Sequence, residues 1–158
     1  MESLLYRERV LPSFATYLLA PTLGAMVTAL SIPTFQGFAY IAGSLAALLL
    51  VFLLTVKAPV IEVSGELLKV GRAQIAHAYL GKVSIISPDD AFAERGHKLD
   101  ARAFTSFQSS VRTLIKVELL DKTDPTPYWL FSTRNPEDLA KTLDALHADR
   151  IGLRLTRK

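Results

Sequence analysis

Apolar positions dominate the first third of the chain, and short patterns of mixed period follow. From Val10 to Val56 there is no Asp, Glu, Lys or Arg. Two uninterrupted apolar runs lie inside this stretch, at 11–32 and 38–56. At about 1.5 Å rise per residue, each reaches about 30 Å, the thickness of a bilayer core. The connector Ser31-Ile32-Pro33-Thr34-Phe35-Gln36-Gly37 holds turn formers and no charge. So short a connector predicts an antiparallel hairpin of two transmembrane helices. A cleaved signal peptide would have a shorter apolar core and a small-x-small site after it. The first run is longer than that and leads straight into the second. The pattern thus divides the chain into an N-terminal segment 1–10, a helical hairpin 11–56 and a domain 57–158.

Small residues recur every fourth position on both runs: Ala20, Gly24 and Thr28 on the first, Ala39, Gly43 and Ala47 on the second. That spacing lets helix backbones approach closely, so these stripes are expected to pack the two helices together, or to meet a partner membrane protein. Pro21 is expected to kink the first helix near its middle. Phe35, Phe38 and Tyr40 are placed at the outer interface and Tyr6 at the inner one, as an aromatic belt.

After Lys57 the period changes. Val60-Ile61-Glu62-Val63 predicts a strand, Ser64-Gly65-Glu66 a turn, and 67–70 a second strand. Gly71-Arg72 turns again into an extended piece at 73–77, and 82–87 forms a β-branched strand ended by Pro88. Pro88-Asp89-Asp90 opens a short helix that Gly96 stops. In 111–120, Ile115, Val117 and Leu119 alternate with Lys116, Glu118 and Leu120, giving one buried face and one largely wet. The turn 121–127 returns into 128–133. The last helix has Asn135 as N-cap, Pro136 in its first position, and Glu137 and Asp138 at the positive end of its dipole. Leu139, Leu143 and Leu146 form its apolar stripe. Strands closed by one amphipathic helix predict an α+β fold: an antiparallel β roll. At the level of fold, this order is similar to the pleckstrin-homology-like (PH-like) domains that follow membrane hairpins in small bacterial proteins.

Charge then sets orientation. Arg7 and Arg9 precede the helices, Lys57, Lys69 and Arg72 follow them, and the connector has no basic residue. The positive-inside rule puts both termini in the cytoplasm of a plasma-membrane protein with two helices. No ionisable residue lies at membrane depth, which argues against transport by this chain alone. The net charge of +3 is too small to predict nucleic-acid binding. With no cysteine, disulfides and thiolate metal sites are excluded.

Candidate chemistry is sparse. Tyr128, Trp129, Ser132, Thr133 and Arg134 are expected as partner or ligand contacts at a hairpin end, against the plainer reading that they are strand and turn residues. Arg7, Arg9, Lys57, Arg150, Arg154, Arg157 and Lys158 are expected to touch anionic headgroups. Asp89 and Asp90 read as capping acids rather than an acid/base pair. His77, His97 and His147 share no metal-ligand spacing. Ser109, Ser110 and Ser132 lack a nucleophile elbow.

Three stretches carry a family likeness: Tyr6-Arg7-Glu8-Arg9 with Leu11-Pro12; Gly65-Glu66-Leu67 with Val70-Gly71 and Leu80-Gly81; and Asp124-Pro125-Thr126-Pro127-Tyr128-Trp129-Leu130, continuing through Ser132-Thr133-Arg134 to Pro136. On these the chain resembles an uncharacterised actinobacterial family of small two-helix membrane proteins, a domain of unknown function. The resemblance covers nearly the whole chain and implies a membrane location, with no activity and no site residues to carry over. The expectation is a membrane-anchored, non-enzymatic interaction protein, an accessory or scaffold subunit whose partners are the bilayer and another membrane protein or complex, with no cofactor. The alternative is a PH-like module sensing lipid headgroups or a small ligand. An enzyme with an unfamiliar site is a third reading.

Overall fold

The computed structural model describes residues 4–34, 36–121 and 123–155, and of 149–155 the backbone alone. The chain forms two compact units, one of residues 11–58 and one that joins the N-terminal residues up to Val10 to everything from Pro59 on.

The second of these begins where a featureless N-terminal segment was expected. Strand β1 (Leu4–Arg9) pairs antiparallel with β2 (Val60–Ser64), with Arg9 opposite Val60 and Arg7 opposite Glu62. The N–H of Val10 donates to the carbonyl of Pro59 at 2.9 Å, extending the pairing by one step. The strand has period two, with Tyr6, Glu8 and Val10 turned inward. A carboxylate among the inward positions disguises that pattern in the sequence. Residues 11–58 are thus an insertion between two paired strands.

Strands β3 (Leu67–Val70) and β4 (Ala73–Ala76) complete a meander in the order β1-β2-β3-β4. Gly71, with φ of 62°, takes the first central position of the two-residue turn between β3 and β4, a backbone region that favours glycine. On the outer face Glu62 meets Arg7 at 3.2 Å and Lys69 at 3.6 Å, a cross-strand charge ladder that favours this register.

A second sheet holds β5 (Leu80–Ile86), β6 (Phe104–Ser106), β7 (Leu114–Leu119) and β8 (Tyr128–Ser132) in the order β5-β7-β8-β6. The roll is therefore not antiparallel throughout, because β6 runs parallel to β8. After β5 the chain passes through a short helix, α4 (Ala91–Arg95, numbered after three helices in 11–58), to the far edge of the sheet before returning to β7. All of β8 is buried: Trp129 and Phe131 enter the main core, while Tyr128 and Leu130 enter a smaller cluster with Leu114 and Ala91. The final helix α5 (Pro136–Leu155) lays Leu139 and Leu143 on the main core, as its stripe predicts.

The insertion contains α1 (Phe14–Tyr17), α2 (Leu19–Ser31) and α3 (Gln36–Val56), giving two stretches long and apolar enough to cross a membrane, Phe14–Ser31 and Gln36–Val56. The first is interrupted at Leu18, one turn before Pro21 and nearer its start than expected. Proline has no N–H to give the carbonyl four residues earlier, that of Tyr17. Hydroxyls in these helices donate to their own backbone: Thr22 to the Leu18 carbonyl, Thr28 to Gly24, Ser31 to Val27 and Thr55 to Val51, at 2.8–3.0 Å. Each is satisfied without water, as an apolar surrounding requires.

Candidate functional site

The segment 128–134 was the sequence's strongest suggestion of a binding surface, and the fold uses it otherwise. Tyr128, Trp129, Ser132 and Thr133 are buried, and only Arg134 is exposed. Trp129 tilts against Phe104 with ring centroids 4.6 Å apart. The Tyr128 hydroxyl accepts the Asp100 N–H at 2.8 Å, and the Lys116 ammonium lies 4.1 Å from the centre of its ring. The Ser132 hydroxyl accepts from the Gln108 N–H at 3.0 Å and from Arg95 Nη2 at 3.3 Å. These side chains hold loops to the sheet. They are denied to a partner because β8 is central and covered on both faces, which the turn formers and aromatics of 124–134 do not reveal.

Around Thr133 lies a polar centre that sequence reasoning missed. Glu8, only 8% exposed, accepts from the Tyr6 hydroxyl at 2.7 Å, the Thr133 hydroxyl at 2.6 Å and the Arg134 N–H at 2.7 Å. The last contact puts the carboxylate at the start of α5, where the dipole favours negative charge. Burial, and then the neighbouring carboxylate, pushes the Tyr6 phenol above its ordinary range, keeping it a donor. Tyr6 is therefore a partly buried strand residue packed on the core, not the interfacial aromatic expected of it. In the sequence the strand is hidden by three consecutive charges, Arg7, Glu8 and Arg9, of which only Glu8 faces inward with Tyr6 and Val10.

Arg95 is a second residue the sequence did not single out. Its Nη2 donates to the Val111 carbonyl at 2.5 Å and its guanidinium stands 5.2 Å from the Phe107 ring centre, while its Nε is buried without a partner. Burial holds its pKa below the ordinary value.

In the helix pair, Ala20, Gly24, Ala39 and Gly43 are buried, with Thr28 and Ala47 partly so. A methyl group at Gly24 would stand 2.8 Å from the Gly43 carbonyl oxygen and 3.1 Å from Ala47 Cβ. One at Gly43 would stand 2.5 Å from the Gly24 carbonyl oxygen and collide with Thr28. The two stripes thus face one another inside the pair. Phe38 and Tyr40 are exposed near the start of α3, and Phe35 lies outside the described residues.

The basic residues are dispersed. Arg7 pairs with Glu62, and Arg9 and Lys57 are exposed. The side chains of Arg150 and Arg154, and Arg157 and Lys158 altogether, lie outside the described residues. Asp90 accepts from the Ser87 hydroxyl at 3.0 Å at the exposed start of α4. Among the described residues no group of three or more His, Cys, Asp or Glu is placed to hold a metal ion. His77 and His147, remote in sequence, line one cleft, and His97 does not.

A two-sheet α+β unit interrupted after its first strand by a pair of apolar helices is the class that these features define. The chain belongs to the family described as "Protein of unknown function (DUF3093)", whose model matches residues 5–143, from β1 to the middle of α5. No curated protein and no solved structure matches it.

Proposed function

We propose that residues 11–58 cross the plasma membrane as a two-helix hairpin, and that the α+β unit is the docking part of a non-enzymatic interaction protein, an accessory subunit of a membrane complex. The observation that carries the membrane reading is the outward face of the helix pair. Phe14, Met26, Leu30, Phe38, Leu48 and Phe52 all point outward, while the pair buries mainly small residues. Such a surface needs lipid or protein around it. The pairing of Arg9 with Val60 supports a topology with both ends of the insertion on one side of the membrane. Arg9 and Lys57 beside those ends favour the cytoplasmic side. The two sheets with a C-terminal helix on the core are compatible with a PH-like roll, and an actinobacterial origin remains part of this reading.

The docking role is supported by Phe92 on α4, 87% exposed and outside both hydrophobic clusters. Aromatic anchors of this kind carry much of the energy of protein interfaces. Tagged chain purified from native membranes in mild detergent is expected to bring a second protein in near-equal amount, and Phe92→Ser to lose it. Recovery of the chain alone would remove the accessory-subunit reading. Sensing of a lipid or small ligand is the second reading, favoured by the cleft beside α5.

A further inference from the structure

We infer that the cleft between α5 and the start of β5 is a binding site for an amphipathic organic anion: a phosphate or carboxylate carried on a short apolar chain. The inference stands independently of the membrane reading, because every residue in it belongs to the α+β unit. The cleft encloses about 410 Å³, within the usual range for small-ligand sites.

Its floor is apolar. Leu80 and Leu143 are nearly fully buried there, and Val83 and Leu146 are half-buried beside them. Leu120 also lines it, 59% exposed, just beyond the end of β7. Its backbone is tied to the rim, the Leu120 N–H donating to the Tyr79 carbonyl at 2.8 Å. One wall is irregular. Between Leu80 and Val83 the register slips against β7, so that β5 spends an extra residue at Gly81-Lys82. Bulges of this kind re-aim side chains and occur beside functional sites. Gly81 sits close to Glu118 and Leu120, where an added Cβ would come within 3.2 Å of both.

The rim is polar: His77, Lys82, His147 and Asp144. Imidazole Nε2 of His77 lies 2.9 Å from the Ser64 carbonyl, which fixes the ring at the cleft edge. Among the described residues neither Lys82 nor Asp144 is in an ion pair. The His77 Nε2 hydrogen is given to Ser64, so the cation that an anionic head would meet is Lys82, with Asp144 opposing it. An apolar floor beside a lysine without an ion-pair partner among the described residues selects a ligand with both parts.

The test uses the full chain in phosphatidylcholine nanodiscs, isotope-labelled at histidine, titrated with hexyl phosphate and followed by NMR. Saturable displacement of the His77 and His147 signals with His97 unmoved is expected. Lys82→Gln should weaken binding about tenfold through loss of a charge-assisted contact. Asp144→Asn should tighten it by roughly two- to fivefold through removal of a like charge. Both side chains stand at the rim, outside the core. No saturable displacement, equal displacement of all three histidines, binding of hexanol as tight as that of hexyl phosphate, or indifference to both substitutions would each overturn the inference. A second arm replaces hexyl phosphate by phosphatidylglycerol in the disc. Displacement of the same two signals there assigns the anion to lipid, and its absence assigns it to a free ligand.

Discussion

Glu8→Ala is expected to destabilise the α+β unit by roughly 3–5 kcal/mol, a large part of the 5–15 kcal/mol typical of a domain. Glu8 is the shared acceptor of two hydroxyls and one backbone N–H. Removing an acceptor from buried donors costs about 1–3 kcal/mol for each one left unsatisfied. The loss also detaches β1 from the start of α5, a contact across 125 residues of sequence. Trp129, the one tryptophan and buried in the core, reports on this unit alone. Urea unfolding followed by its emission should show the midpoint lowered by roughly 1–3 M. Glu66→Ala, in the exposed turn before β3, should stay within about 0.5 kcal/mol of the native chain. Equal effects of the two substitutions would show that the carboxylate holds nothing together.

The second large effect belongs to the helix pair. Gly43→Leu should weaken its packing by roughly 1–3 kcal/mol or more, because the new side chain meets the backbone of the facing helix as well as the Thr28 side chain. The Gly24 carbonyl oxygen lies 2.5 Å from where the Cβ must go, and Thr28 is nearer still. Gly37→Leu is the control, since nothing lies within 4 Å of its added Cβ. Energy transfer between labels at Phe14→Cys and Thr55→Cys, followed through an SDS titration, measures separation of the helices. The Gly43→Leu pair should separate at lower SDS than either the native pair or the Gly37→Leu pair. Coincident titrations would mean that the small-residue seam does not set the helix spacing.

Much of this was legible from pattern. A charge-free stretch of bilayer length, small residues every fourth position, the Asn135-Pro136 helix start and the alternation of 115–119 each rest on one local rule, and each matches an element of the structure. What escaped was set by long-range pairing. Strand β1 is short and interrupted by an inward carboxylate, and its partner lies beyond the whole helical insertion. The aromatics of 128–131 suit a binding surface and a central strand equally, and only the pairing of β8 between β7 and β6, with a hydrophobic cluster on each face, decides between them. His77, Lys82, Asp144 and His147 share no spacing because three separate elements bring them to one cleft. The unit boundary differs for the same reason: residues up to Val10 join a unit whose remainder begins at Pro59.

In the proposed topology residues 11–58 cross a membrane and return, leaving the α+β unit on the cytoplasmic side. The absence of cysteine allows a direct test with single introduced thiols. Thr34→Cys stands in the exposed connector and Gln74→Cys at the exposed position of β4. Intact cells are treated with a membrane-impermeant maleimide, before and after lysis, and the membranes are washed in alkaline carbonate. The expected result is labelling of the Thr34→Cys chain in intact cells, labelling of the Gln74→Cys chain only after lysis, and retention of both chains in the washed membranes. Equal labelling of the two chains in intact cells, or release of either by the wash, would contradict this topology.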